Sequence, residues 1–237
     1  YAYNLRLAPQ HFDYIAVDDT RRHISHSIED EAAADRVMDA TFGFADGRVV
    51  SKYDYTHAIE DGDFNLYGWA GPQAGVWWIQ ASGEYYGSAP FRVLLTSHQT
   101  AKTPIIIWQA HCVHRGGYEI EFRPEDETDW QKIYGPAFIY LNDGGDYDTL
   151  WNDAKGQATT IVKKWPFAWM EHALYPRERG EVTGQLDFDD GTPAADAWVV
   201  LAPEGEHWSH ENRGYHFWSR TDSQGRFNVQ NVRPGRY

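Results

Sequence analysis

Lys52 closes one aromatic-rich β segment, and His111-Cys112-Val113-His114 closes another. A lysine can take up a proton, a histidine can deliver one, and both bring positive charge, so the set suits proton transfer on a negatively charged substrate. Arg21, Arg92 and Arg115 are further cations that could gather around it. His111-x-x-His114 also has metal-ligand residue types. Two intervening residues on a strand point such histidines to opposite faces, and only a loop would let them converge, so no zinc site is expected. Cys112 between them reads as a small buried side chain.

Other chemistries are easier to set aside. No phosphate-binding glycine loop with Lys and Ser/Thr, no dinucleotide fingerprint and no Gly-x-Ser-x-Gly elbow occurs. Glu84 and Asp54 could form a glycosidase-type carboxylate pair, but among 35 acidic residues the signal is weak. Charge runs such as Glu29-Asp30-Glu31 and Glu125-Asp126-Glu127 read as solvated loops. The net charge of −14 opposes encounter with nucleic acid or anionic membranes, so neither partner is expected. An anionic substrate would need the cations concentrated in one cleft. The lone cysteine can form no internal disulfide, and no stretch is apolar enough to span a bilayer.

The elements that must position these residues are mostly strands. Over residues 1 to about 145, short β runs alternate with Gly, Pro, Asn and Asp turns, as in Phe12–Val17, Val76–Gln80, Ile105–Trp108 and the two-residue alternation of Tyr118–Phe122. With 11 Trp and 15 Tyr the chain is rich in aromatics; most should serve cross-strand packing, and exposed ones would suit sugar rings. One helix is predicted after Asp143-Gly144-Gly145. Asp146 is its N-cap, and Tyr147, Leu150, Trp151, Ala154, Ala158, Ile161, Val162 and Trp165 form its apolar stripe, with Pro166 as the stop.

Beyond Tyr175-Pro176 the texture changes to short strands at Gly180–Leu186, Gly191–Pro193 and Ala197–Leu201, then Gly225–Val229. This predicts a small immunoglobulin-like or fibronectin-type sandwich beginning near residue 178, after a large β-sandwich over residues 1–177. The closing Asn231–Tyr237 reads as a turn leading into a further strand, so a piece of a longer chain is expected, with strand edges exposed.

Several segments together resemble the rhamnogalacturonan lyases of polysaccharide lyase family four. They are Lys52-Tyr53-Asp54-Tyr55, Leu66-Tyr67-Gly68-Trp69, Val76-Trp77-Trp78-Ile79, Gly83-Glu84-Tyr85-Tyr86 and, most specific, Tyr134-Gly135-Pro136-Ala137-Phe138-Ile139-Tyr140-Leu141-Asn142. The Phe12–Arg21 segment is similar to the one preceding that family's catalytic lysine. The resemblance implies an all-β protein: a galactose-mutarotase-like antiparallel β-sandwich with one helix, truncated at its start, then a partial fibronectin type III-like domain, with a third, carbohydrate-binding domain absent.

It also implies a secreted enzyme, monomeric when full length, that needs no cofactor and cleaves the rhamnose-(1→4)-galacturonate bond of rhamnogalacturonan I by β-elimination. In that scheme Lys52 is the base and His111 the acid, with His114 as the alternative acid. Arg21 is the clamp for the galacturonate carboxylate and Arg92 a second cation. Tyr85 and Tyr86 stand between core and sugar contact. Where many family members continue with Tyr and Gly after the histidine, this chain reads Cys112-Val113-His114-Arg115, and Ile105-Ile106-Ile107 replaces a tyrosine-rich strand.

Overall fold

In the computed structural model, residues 2–22, 24, 25, 35–38, 41–62, 64–100, 103–109, 129–205 and 207–237 are described. The chain is dominated by antiparallel sheets, with a single α-helix among the described residues. The largest sheet has five strands in the order Ala137–Asp143, Ala74–Gln80, Leu66–Ala70, Tyr14–Ala16 and Ile24–Ser25.

Its central strands are covered on both faces, which is why they read as nearly continuous apolar runs. One face presents Ile15, Tyr67, Trp69, Val76 and Trp78 to a second sheet of three strands, Ala2–Arg6, Thr103–Gln109 and Ser97–Thr100. Two bonds tie these layers where apolar contact alone would let them slide: the Tyr67 hydroxyl donates to the Ile107 carbonyl at 2.8 Å, and Trp69 Nε1 donates to Ser97 Oγ at 3.1 Å. The other face presents Ala16, Leu66, Ala70, Trp77 and Ile79 to the helix Tyr147–Val162.

The helix follows the spacing of its stripe, burying Leu150, Trp151, Ala154, Ala158 and Ile161. Asp146 caps it, accepting from the Thr149 backbone N–H at 2.9 Å. It ends at Val162, so Trp165 and Pro166 belong to the segment beyond it.

Residues from Gly180 onward form two antiparallel strand pairs, Gly180–Gln185 with Arg226–Val232 and, between them in sequence, Trp198–Leu201 with Phe217–Arg220. The Phe217–Arg220 strand is an addition to the sequence reading. The predicted Gly191–Pro193 strand contracts to a single bridge between Asp187 and Pro193. The Tyr118–Phe122 segment lies outside the described residues.

This second unit sits directly on the sandwich. Tyr215 and Trp218 pack against the main core cluster, and the Gly83–Phe91 segment of the sandwich takes most of the polar contacts. At the centre is Glu84, buried between two guanidinium groups. Arg179 Nη1 reaches its Oε2 at 2.6 Å, and Arg233 Nη2 reaches its Oε1 at 2.6 Å. A buried carboxylate is tolerable only with such compensation.

Candidate functional site: the Lys52 turn

Lys52 begins a single 3-10 turn, Lys52–Tyr55, whose start is fixed locally by a capping box. Ser51 Oγ accepts from the Tyr53 N–H at 3.3 Å, and Asp54 Oδ2 accepts from the Ser51 N–H at 2.8 Å. The turn is also held from outside. The Thr96 hydroxyl donates to the Tyr55 carbonyl, and Tyr53 packs on Leu95, Ile105 and Ile107. Lys52 is only 2% exposed, with Nζ 5.3 Å from the centre of the Tyr53 ring.

Ile105 and Ile107 lie on Thr103–Gln109, the strand that leads toward His111. The structure therefore brings the lysine turn against that strand. His111 and His114 themselves lie outside the described residues.

Arg21 reaches this turn, but through its backbone. Its Nη1 donates to the carbonyls of Asp54 at 3.3 Å and Thr56 at 3.0 Å, while Nε and Nη2 hold Asp18 Oδ2 at 2.8 and 2.7 Å. Burial works against the Asp18 charge, but hydrogen bonds from Arg21 and Thr20 outweigh it and hold the carboxyl at about 2. In this geometry Arg21 is a brace, with one carboxylate already in its fork.

Arg92 is buried with its guanidinium 5.3 Å from the Tyr86 ring centre, and its carbonyl accepts from the Ile59 N–H. Tyr85 and Tyr86 lie in the main core, 2% and 0% exposed, and both hydroxyls donate to Gln80 Oε1. Burial pushes the Tyr85 phenol well above its ordinary range and Tyr86 up to about 12. Two fully enclosed phenols offer no ring face to a sugar here; they anchor the segment that docks the second unit.

The carboxylates of the hydrolase alternative are committed elsewhere. Asp54 closes the capping box, and Glu84 is enclosed by Arg179 and Arg233. Among the described residues, no group of three or more His, Cys, Asp or Glu side chains could hold a metal ion, and no helix is long and apolar enough to cross a membrane.

Lys132 escaped the sequence reading. Its Nζ donates to the Asn212 carbonyl at 3.0 Å and lies 5.2 and 5.3 Å from the ring centres of Tyr134 and Tyr215. Burial, with Arg92 and Arg233 nearby and only partly offset by Glu211, brings its ammonium down to about 7. A lone lysine between Gln131 and Ile133 gives no sign of this, because apart from Tyr134 the groups around it come from distant parts of the chain, such as Asn212, 80 residues downstream.

A broad antiparallel sandwich with a small all-β unit docked on it agrees with the all-β fold expected from the sequence. Residues 191–237 match the family described as polysaccharide lyase family 4, domain II. The chain is 35% identical over 202 residues, 85% of its length, to the rhamnogalacturonate lyase of Dickeya dadantii (strain 3937), covering 32% of that protein. It is 24% identical over 236 residues, 88% of its length, to a probable rhamnogalacturonate lyase B of Aspergillus terreus (strain NIH 2624 / FGSC A1156), covering 34% of that protein. The chain is thus similar to domain II of polysaccharide lyase family 4 over residues 191–237 and to two rhamnogalacturonate lyases over most of its length, and it spans about a third of the length of these curated relatives.

Proposed function

We propose that the protein containing this chain is a secreted rhamnogalacturonan I lyase that breaks the rhamnose-(1→4)-galacturonate bond by β-elimination. The observation that carries this reading is the 35% identity, over 85% of the chain, to a rhamnogalacturonate lyase. The packing of the Lys52 turn on the strand leading to His111 supports it.

The chemistry accounts for the residue types. The hydrogen on C5 of galacturonate is barely acidic, and its removal places charge on the adjoining carboxylate. Lys52 takes that proton. The electron pair left behind forms the C4–C5 double bond as the C4–O bond to rhamnose breaks, and His111 protonates the departing oxygen; His114 is the reserve for that role. Arg21 and Arg92 supply positive charge around the reacting unit, Arg21 chiefly by holding the Lys52 turn in place. No metal enters the chemical step, and the enzyme works as a monomer.

The test is ultraviolet absorbance of the unsaturated product formed from rhamnogalacturonan I by the full-length protein and by Lys52→Ala. Loss of that absorbance in the variant, with an unchanged fold, is the expected result. Undiminished product would remove Lys52 from the mechanism. Saturated ends without new absorbance would point to hydrolysis, and polymer binding without any cleavage to a purely carbohydrate-binding sandwich.

A further inference from the structure

We propose that Phe91, Trp198 and Trp208 form a second sugar-binding subsite, remote from Lys52, which holds a pyranose unit of the polymeric substrate by its apolar face. The inference rests on the polysaccharide reading above for its ligand and adds a place on the molecule that the Lys52 chemistry does not use.

Phe91 belongs to the sandwich, whereas Trp198 and Trp208 come from the second unit. Its ring centre lies 6.0 Å from Trp198, edge-on at 76°, and 5.6 Å from Trp208 at 46°. Such edge-on and tilted pairs are ordinary aromatic packing, and what sets this cluster apart is its exposure: Phe91 remains 46% exposed and both tryptophans are half-buried, so an angled aromatic surface faces solvent.

A pyranose has apolar C–H faces and a rim of hydroxyls, so a site for it needs aromatic faces with planar polar groups at their edge. Arg220 lies over one face of Trp198, its guanidinium carbon 4.3 Å from the ring centre, and Nη1 donates to Asp196 Oδ1 at 2.7 Å, so a donor and an acceptor stand side by side next to the cluster and the sugar face must come chiefly from Phe91 and Trp208. Exposed His207 packs against Trp208, with ring centres 5.6 Å apart.

Ser88, three residues before Phe91, and Asp196, two before Trp198, hold left-handed conformations with φ of 60° and 56°. Aspartate adopts such angles readily, whereas a serine needs support from surrounding contacts. Ser88 is enforced by its hydroxyl donating to the Ser209 carbonyl at 2.6 Å, which locks the Phe91 segment to the Trp208 segment.

Phe91 lies four residues before Leu95, whose strand partner is Thr56 at the end of the Lys52 turn. Extended chain at ~3.3 Å per residue sets an upper limit of about 13 Å between those positions. A single sugar unit is shorter than a separation of that order, so the subsite should act on chains of several units and not on the shortest substrates.

The experiment uses the full-length protein with Phe91→Ser, Trp208→Ala and the conservative Phe91→Tyr, each checked for an unchanged fold by circular dichroism. On rhamnogalacturonan I polymer, Phe91→Ser and Trp208→Ala should raise KM about tenfold with little change in kcat. Phe91→Tyr should keep the parent value, and kcat/KM on a disaccharide of the same backbone should not move. Unchanged polymer KM in both folded variants would overturn the subsite, as would equal losses on polymer and disaccharide. If the parent protein forms no unsaturated product, retardation in polymer-containing native gels decides instead: loss in Phe91→Ser and Trp208→Ala keeps the subsite although the lyase reading falls, and retention overturns it.

Discussion

Arg21 Nη1 lies 3.0 Å from the Thr56 carbonyl, so a residue 35 positions upstream braces the end of the turn that carries Lys52. The same guanidinium holds Asp18, and the two sets of bonds together fix the distance between the Asp18 loop and the Lys52 turn.

A brace and a substrate clamp fail differently when removed. On the lyase reading, Arg21→Ala should lower kcat by roughly tenfold to a hundredfold, because a misplaced base loses rate more than affinity. KM should change far less. Arg21→Lys should recover little, since one ammonium cannot serve a carboxylate and two carbonyls at once. A large rise in KM with kcat intact would restore the clamp assignment. The brace should also survive mild acid: the Asp18 carboxyl is depressed from 3.8 to about 2, so its stabilisation is full above its ordinary value and fades only as pH falls toward 2.

Glu84 makes a prediction about stability. Removing its charge leaves Arg179 and Arg233, both nearly inaccessible, without a counter-ion. Glu84→Gln should therefore destabilise by about 3–5 kcal/mol, measured by urea unfolding. Since the two arginines belong to the linker and the second unit, early loosening of that unit should accompany the loss. A cost near zero would mean that aromatic packing of Arg233 on Tyr215, 3.5 Å from ring centre, suffices to dock it.

Gly87 tests the same junction sterically. A Cβ there would overlap the Asn212 side chain and come within 2.8 Å of its Cα, in a place where Asn212 is buried. Gly87→Ala should cost about 1–3 kcal/mol through displacement of the 207–216 loop. Thermal unfolding of the variant measures it, and a neutral result would show that the loop yields freely.

What could be read from the chain was whatever depends on near neighbours. Asp146 as N-cap and the Leu150, Trp151, Ala154 stripe are set by helical spacing, and the Ile105–Trp108 run by its own apolarity, so both segments were found. The turn at Lys52 has its capping box within four residues. Arg21, Glu84 and Lys132 lie beyond that reach: their partners stand 35, 95 to 149 and 80 residues away, so their roles come from the tertiary fold alone. Tyr85 and Tyr86 show the same limit in reverse, because their sequence fits a sugar-facing loop as well as the core that encloses them.

Lys132 ties the sandwich to the second unit through the Asn212 carbonyl, and its ammonium is brought down to about 7 chiefly by burial. Around it stand Glu211, itself bonded to His216, then Arg92, Arg233 and Glu84, with the Tyr134 and Tyr215 rings. In the unfolded chain the same group titrates near 10.5. Below pH 7 both states are protonated and the folded state carries the full cost of enclosing the charge. Between pH 7 and about 10 the folded state alone sheds the proton, so this cost declines and stability rises with pH. Lys132→Met removes the titration while keeping the length of the side chain. The melting temperature of the parent, taken relative to this variant, should therefore climb from pH 7 to pH 9 and stay level from pH 5 to 6.5. A parallel pair of curves would show that Lys132 keeps an ordinary ammonium in the folded protein, and that the junction is held by Glu84 and its arginines without it.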